Sequence, residues 1–477
     1  MPRIPCSGRS TRWGSGSGPP ERAPRKWACP RVGPRLPSRG RACADSFRRA
    51  RPLTREREAT PVLELLKDPT YIRYWLAVVA SFLGDAVTKI TLIYVVATET
   101  ERPVLYVSLV VVAQLLPSGM LGVFVGPLAD RVPARVLMVA SDLVRAVLAL
   151  LMIAVRDEPL PLLALILLSG IGKAFFETAR LTAIPLIVRG HGIPTAVALF
   201  QSTSHTLNLV GPALGGLLLA LGSVPAVFVV DAATFVASAL LLGSMAVLRE
   251  VPVPGGDREP YWRALRTGLS GVLATPSLRF LAVVLVPVML ALGLFTTNLN
   301  SQLLNVFRLT PFDYGLAQAA FGAGSVAGAL LGPPLVRRLS DGRLLSWSVA
   351  LFGASLLLLA PTGPLHDAVG ITPVLLWCLL SGLGSGLFQV PIAHTLLGDL
   401  PAHLRGRGVG LFNSLMVNVT VLGALLGAVT ADLTGITASL TLTGVLLLPA
   451  AALIAVTGPR AAISARETSA TAAAPKG

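Results

Sequence analysis

Twelve apolar segments of about 20 residues constrain this sequence more than any other feature. A helix of about 20 mostly apolar residues is long enough to cross the hydrocarbon core of a bilayer. Only 13% of the residues are charged and the mean hydropathy is +0.70, values that exclude a soluble globular protein. We therefore predict an all-α membrane protein with 12 transmembrane helices. The expected spans lie near 72–97, 106–127, 135–155, 160–180, 196–221, 223–248, 278–304, 314–336, 344–361, 371–396, 408–431 and 436–457.

Arginine is distributed unevenly between the loops that join these segments. Loops after even-numbered spans carry 14 arginines, whereas loops after odd-numbered spans carry 3. Positive residues are retained on the cytoplasmic side of a membrane. The count predicts a multi-pass protein of the plasma membrane with both termini in the cytoplasm.

Polar stretches divide the chain into five parts. The first is a basic tail whose Arg, Pro, Gly and Ser content predicts disorder; it either binds anionic lipid or lies upstream of a true start near Val62. The polar stretch between the two sets of six spans contains an expected interfacial helix from Tyr261 to Leu273. The expected parts are the tail 1–60, a six-helix bundle 61–248, a cytoplasmic linker 249–277, a second six-helix bundle 278–457 and a disordered C-terminal tail 458–477.

The second set of spans repeats the first. Residues 168–177 read LSGIGKAFFE, and residues 380–389 read LSGLGSGLFQ, at an offset of 212. The same offset pairs Gly211 with Gly423 and Gly215 with Gly427. A duplication of six spans predicts two bundles related by an axis along the membrane normal, with the substrate held between them near the midplane.

Two motifs resemble those of the major facilitator superfamily. GPLADRVPAR at 126–135 resembles the superfamily's loop signature, and the resemblance implies that Asp130 and Arg131, with Arg135 beside them, belong to a cytoplasmic gate. VGPALGG at 210–216 resembles the signature of its drug–proton antiporters, which implies export. Its signature residues are Gly211, Pro212, Gly215 and Gly216.

The resemblance narrows to one branch of the superfamily. AFFETARLTAIPLIV, FVVDAATFVASALLL and LRGRGVG resemble the branch that includes macrolide-efflux and enterobactin-exporter proteins. The likeness covers about residues 72–457, and it implies a transporter of the twelve-helix fold.

Ionisable residues inside the spans are confined to the first half. They cost about 2.5–3.5 kcal/mol at the membrane centre, so each one needs a physical reason. Asp85 lies at the middle of span 1, and Lys89 lies one turn away on the same face. Two interpretations stay open: a permanent ion pair, or an Asp85 that takes up and releases a proton while Lys89 releases and retakes it.

Other polar residues form stripes that we expect to face a wet cavity. Asp231, in span 6, is expected either to close an outer gate or to cap a neighbouring helix. The complete expected pathway comprises Asp85, Thr88, Lys89, Gln201, His205, Asn208, Asp231, Thr297, Asn298 and Ser301.

Charged residues that we place nearer the cytoplasmic ends are expected to be structural pairs or gate struts. Asp142 is expected to pair with Arg145, and Lys173 with Glu177. Arg180 follows at the end of span 4, and it completes the expected gate with Asp142, Arg145 and Glu177.

The leading hypothesis is a transporter that exports a small, moderately apolar molecule by alternating access, coupled to protons or another cation. The alternative of the same fold is a nutrient importer or uniporter; a membrane receptor or scaffold is less compatible with polar stripes. No HExxH, GxSxG or P-loop motif is present, so the sequence does not predict an enzyme. We expect a monomer with no cofactor, metal or nucleic-acid partner.

Overall fold

The computed structural model describes the chain from residue 65 to residue 473 with five gaps. The described ranges are 65–129, 132–188, 192–249, 276–336, 338–399 and 405–473. They all belong to one compact unit, Glu58–Gly477. The expected basic tail, almost all of the linker with its interfacial helix, and the gate residues Asp130 and Arg131 lie outside the described residues.

The described residues fold into long helices joined by short loops. The first half contains six helices, and a short 3₁₀ turn, Ala246–Arg249, follows them. The helices of the first half are α1 Pro69–Glu99, α2 Pro103–Ala129, α3 Ala134–Ala154, α4 Pro159–Ile187, α5 Gly192–Leu221 and α6 Val224–Gly243. Those of the second half are α7 Pro276–Ser301, α8 Pro311–Val336, α9 Asp341–Leu357, α10 Leu359–Val369, α11 Thr372–Asp399, α12 Arg405–Thr434 and α13 Ile436–Ala473.

Eleven of the described helices are long and apolar enough to cross a membrane, and α9 with α10 forms a twelfth, broken span. The two limbs of that span are bent by 49° at Leu358. Two prolines, Pro361 and Pro364, lie just beyond the bend and remove backbone hydrogen bonds there. The predicted all-α fold with twelve spans is confirmed.

Local sequence explains where several helices begin. Proline occupies the first turn of α1, α4 and α6, where its missing N–H costs no helical hydrogen bond. The Asp68 carboxylate caps α1 by accepting a hydrogen bond from the backbone N–H of Thr70, at 2.8 Å. These residues therefore determine where the helices begin.

Several expected boundaries are wrong, and those of α4 and α13 differ for clear reasons. Helix α4 continues to Ile187 instead of ending at 180, with Pro185 inside its last turn. Helix α13 continues to Ala473, so the tail expected to be disordered from 458 is helical as far as that residue. Alanine, arginine and glutamate in this segment favour a helix, an effect that a hydropathy boundary does not register.

The duplication is visible in the packing of the helices. A Cβ on Gly215 of α5 would lie 3.3 Å from the Cα atom of Val87 of α1, and one on Gly427 of α12 would lie 3.0 Å from that of Leu294 of α7. Glycine at these points lets the helix backbones approach closely. Helix α5 therefore packs on α1 as α12 packs on α7.

The two halves meet through α5 with α8 and through α2 with α12. The Ser108 hydroxyl of α2 donates to the carbonyl oxygen of Ala424 of α12 at 3.0 Å. Asn305, in a short π-helical turn after α7, donates to the carbonyl oxygen of Ala97 of α1 at 2.9 Å. Both contacts lie toward the end of the molecule that carries the α1–α2 loop.

Candidate functional site

A cavity of about 70 Å³ lies inside the first half and is lined by charged side chains at mid-helix positions. This volume holds a few water molecules. Helices α1, α2, α3, α4 and α6 contribute the lining, so the described cavity is walled by one half rather than by both. The lining residues are Asp85, Thr88, Lys89, Leu92, Gln114, Arg145, Ala149, Met152, Ile166, Ser169, Gly170, Lys173 and Asp231.

Arg145 is the centre of the charged cluster. Its side chain is only 1% exposed, and its guanidinium group contacts the Asp85 carboxylate. The Asp142 carboxylate lies 3.7 Å away on the other side. The guanidinium also donates to the Ser81 hydroxyl at 3.3 Å and lies 4.1 Å from the centre of the Phe235 ring. These contacts compensate the burial of the charge.

Glycine in α4 makes room for this arginine. A Cβ on Gly172 would lie 2.9 Å from Cγ of Arg145. Gly172 belongs to the repeated LSGIG motif, so one function of that motif is to admit the arginine side chain between α3 and α4.

Asp85 joins three helices through its two carboxylate oxygens. One oxygen binds Arg145 of α3, and the other lies 3.4 Å from Nζ of Lys173 of α4. The expected pairing of Asp85 with Lys89 is therefore wrong, because helical spacing places Lys89 on the same helix but does not bring the two charged groups together. The expected pairing of Lys173 with Glu177 is also not observed among the described ion pairs.

Lys89 lines the cavity and is exposed. Within the described ranges, its ammonium group has no carboxylate within 4 Å, because the ion pairs there involve other cations. A free ammonium at the middle of a membrane helix must face water or a ligand.

Asp231 lies at the eighth position of α6 and is 3% exposed. Its Oδ1 atom has no hydrogen-bond partner in the described part of the chain. Gly84 of α1 provides the space for it, since a Cβ there would overlap Oδ1 of Asp231. Asp231 therefore lies against the middle of α1 and lines the same cavity as Asp85.

The expected assignment of Asp142 and Arg145 to the cytoplasmic end of the bundle is wrong. Arg145 is the twelfth of 21 residues in α3 and lines the central cavity. Asp142 is fully buried one turn away and accepts a hydrogen bond from Ser81 at 3.1 Å. Their expected pairing is present, but it belongs to the central cluster.

The remaining gate candidates lie apart from the cavity. Arg180 has its guanidinium group 5.3 Å from the ring centre of Phe82 and 5.6 Å from that of Phe200. Arg135 donates to the carbonyl oxygen of Gly243 and so ties α3 to the end of α6. Glu177 is half-buried in α4. Their role in a gate stays a prediction.

The expected polar stripe of α7 does not line the described cavity. Thr297, Asn298 and Ser301 are fully buried. Asn298 donates to the Ser439 hydroxyl of α13 at 2.9 Å, and Thr297 donates to the carbonyl oxygen of Ala424 at 3.3 Å. Their helix face packs against α12 and α13 in this structure, and their role in the pathway stays a prediction.

Three expected pathway residues lie in α5: Gln201, His205 and Asn208. Their positions on the helix are described, but their side chains are not, so their role stays a prediction.

The glycines of the export signature are packing contacts. Gly211 and Gly215 lie against α1. Gly216 faces the other half, where a Cβ would lie 2.6 Å from the carbonyl oxygen of Pro311 and 2.9 Å from Cα of Gly315. The carbonyl oxygen of Pro212 would in turn lie 2.6 Å from a Cβ on Gly315. The signature thus fixes the closest approach of α5 to α8.

The charged cluster has no counterpart among the described residues of the second half. Gly384, the counterpart of Gly172 in the repeat, lies against Phe352, with a separation of 3.0 Å between a Cβ there and the Cβ of Phe352. Phe352 therefore stands where the first half has Arg145. It packs edge-to-face on Phe295 at 5.1 Å, so an aromatic core replaces the ionic one.

Sequence reasoning missed four members of the site. Ser81, which hydrogen-bonds to Asp142 and Arg145, was not among the expected site residues. Gln114 and Ser169, each a polar residue in an apolar span, carried a usable signal and line the cavity. Phe235, which lies on the Arg145 guanidinium, carried none, because an aromatic residue in an apolar helix is ordinary. No group of three or more potential metal ligands among His, Cys, Asp and Glu occurs in the described ranges.

Comparison with known proteins gives consistent matches. The sequence profile described as Major Facilitator Superfamily matches residues 74–420 and 281–476. The multidrug efflux pump Tap of Mycolicibacterium fortuitum is 28% identical over 70% of this chain and 82% of its own length. The enterobactin exporter EntS of Escherichia coli is 30% identical over 68% and 78%. A bacterial homologue of the iron transporter ferroportin, solved in an inward-facing state, superposes with a TM-score of 0.64 at 14% identity, over 83% of this chain and 99% of that one.

Proposed function

Because the chain belongs to the Major Facilitator Superfamily, we propose that it exports small, moderately apolar molecules by alternating access, in exchange for protons. The observation that carries the proposal is the cavity between the helices of the first half, which is lined by two carboxylates, Asp85 and Asp231, and by three cations, Lys89, Arg145 and Lys173. Transporters that use protons need ionisable groups inside the membrane, where such groups are otherwise too costly to retain.

Two observations support export over import. Two relatives that align over most of their length are named as an efflux pump and an exporter. The GPALGG segment forms the contact between α5 and α8 on which relative movement of the halves depends. A contact made by glycines separates without stranding a polar group.

The positive-inside count supports an orientation with both termini in the cytoplasm. In that orientation the end that carries the α1–α2 loop is extracellular. The contacts of Ala97 with Asn305 and of Ser108 with Ala424 then close the outer side.

Protons supply the free energy in this proposal. Each proton that enters the cell releases about 2.3 kcal/mol per 100 mV of membrane potential. Residues of the first-half cluster would carry it, since the charged groups of the second half in the described ranges lie toward helix ends or in loops.

Export and coupling are tested in two steps. A bacterial strain without its own major pumps is exposed to a panel of apolar inhibitors, with and without the protein. We expect higher tolerance to at least one of them. Everted vesicles with a pH-sensitive dye then report whether that compound dissipates a proton gradient. Equal tolerance across the panel, or uptake of the compound with no proton movement, would contradict the proposal.

A further inference from the structure

We propose that Asp231, rather than Asp85, is the carboxylate that takes up and releases the coupling proton. This inference rests on the proposed function and identifies the group that performs its central step. Both residues line one cavity, and both are aspartates at membrane depth. They differ in the number of cations that lie within 4 Å of the carboxylate.

Asp85 is held by two cations. Arg145 contacts one oxygen and Lys173 lies 3.4 Å from the other. Protonation of Asp85 would leave the guanidinium of Arg145, which is 1% exposed, with only Asp142 at 3.7 Å. Breaking a buried pair is strongly destabilising because it strands a charge. The geometry therefore favours a permanently ionised Asp85 that ties α1, α3 and α4 together.

Asp231 has no such partner. In the described ranges no Lys or Arg nitrogen lies within 4 Å of its carboxylate, since every ion pair there uses another acid. Its Oδ1 atom makes no hydrogen bond, and the side chain is 3% exposed. An ionised carboxylate so buried is costly, whereas a proton on it removes that cost.

The surroundings of Asp231 include charges of both signs. Helix α1 presents Asp85 and Lys89, α3 presents Asp142 and Arg145, and Lys173 of α4 lines the same cavity. Helix α5 carries a single titratable residue, His205, whose side chain lies outside the description. Arg145 and Lys173 together balance the charges of Asp85 and Asp142, so neither is a partner of Asp231 alone.

In the proposed cycle Asp231 takes up one proton and releases one proton. Asp231 accepts a proton from hydronium on the outer side and becomes a neutral carboxylic acid. In the inward-open state it returns the proton to water and becomes a carboxylate again.

Infrared difference spectra of the full chain in lipid test the assignment without a substrate. A protonated buried carboxyl group has a C=O stretching band outside the amide region, and that band disappears as the group ionises. We expect Asp231→Asn to lose a pH-dependent carboxyl band, whereas Asp85→Asn and the matched buried control Asp142→Asn keep it. An unchanged band in Asp231→Asn, or a loss in Asp85→Asn instead, would overturn the assignment. The amide bands of the same spectra report whether each variant remains helical.

A second measurement separates this inference from the proposed function. Everted vesicles are incubated with N-phenyl-1-naphthylamine, a neutral fluorescent probe. Accumulation of the probe is compared with and without a pH gradient. If Asp231 carries the proton, Asp231→Asn loses gradient-driven accumulation but keeps exchange of the probe across the membrane. Retained accumulation in Asp231→Asn, with normal transport by the wild type, overturns the role of Asp231 alone. A wild type that moves no probe and has no pH-dependent carboxyl band overturns both proposals.

Discussion

Replacement of Arg145 by methionine is the most direct test of the charged cluster. Methionine matches the aliphatic stem of arginine and removes the charge, so the packing of that stem against Gly172 of α4 is conserved. The Asp85 carboxylate keeps Lys173 at 3.4 Å. Asp142, which is fully buried, loses its cationic partner and keeps the hydrogen bond from Ser81 at 3.1 Å. The stranded charge is therefore that of Asp142.

The expected cost follows from this geometry. Removal of one partner of a buried ion pair costs about 3–5 kcal/mol, so we expect Arg145→Met to lower the free energy of unfolding by that amount. A second change, Asp142→Asn, removes the stranded charge. The double variant should recover part of the loss, with a coupling free energy of about 1–3 kcal/mol between the two sites.

Unfolding in mixed micelles with increasing dodecyl sulfate, followed by tryptophan fluorescence, measures these differences. Arg156→Met is the matched control, since Arg156 pairs with Asp157 at 3.3 Å but is 43% exposed. Exposed pairs contribute about 0–1 kcal/mol, so this control should unfold almost as the wild type does. If Arg145→Met costs no more than Arg156→Met, or if Asp142→Asn gives no recovery, the reasoning about the buried cluster is refuted.

Two more predictions concern the contact between the halves and the two cavity lysines. Gly216→Ala should abolish transport, because the new Cβ would lie 2.6 Å from a backbone oxygen of α8. Gly243→Ala is the control and should transport normally, since no atom lies within 4 Å of its new Cβ. Vesicle uptake compares the two variants, and equal rates would contradict a packing role for Gly216. Lys173→Gln should lower the free energy of unfolding by about 1–2 kcal/mol through loss of a charged contact, whereas Lys89→Gln should change it by less than about 0.5 kcal/mol. The same micelle titration decides, and equal losses would show that Lys89 has a partner after all.

The apolar spans and the repeat were predictable from sequence because hydropathy and small residues report directly on membrane packing. Twelve spans follow from segment length, and the matched glycines of α5 and α12 follow from the offset of 212. The restriction of membrane charges to the first half was also predictable from the sequence. The residues identified in this way include Asp85, Lys89, Arg145, Lys173 and Asp231.

The pairing of those charges was not predictable. Asp85 and Lys89 are four residues apart, and helical periodicity favours contact between such neighbours. The partner of Asp85 is instead Arg145, 60 residues along the chain. The choice is set by the packing of both α1 and α3 against α6 and by the space that Gly172 leaves, and both are tertiary properties. A single sequence gives the face of a helix, but it does not give the helix that the face meets.

The location of the ion pairs suits a transporter whose halves move against each other. All five ion pairs in the described ranges join residues of the same half. A buried pair that crossed between the halves would have to break in every cycle, at a cost of about 3–5 kcal/mol. The described polar contacts between the halves are hydroxyl or amide hydrogen bonds to carbonyl oxygens. Such hydrogen bonds contribute about 0.5–1.5 kcal/mol each, so the strong polar interactions lie within each bundle and the weaker ones lie where the halves must separate.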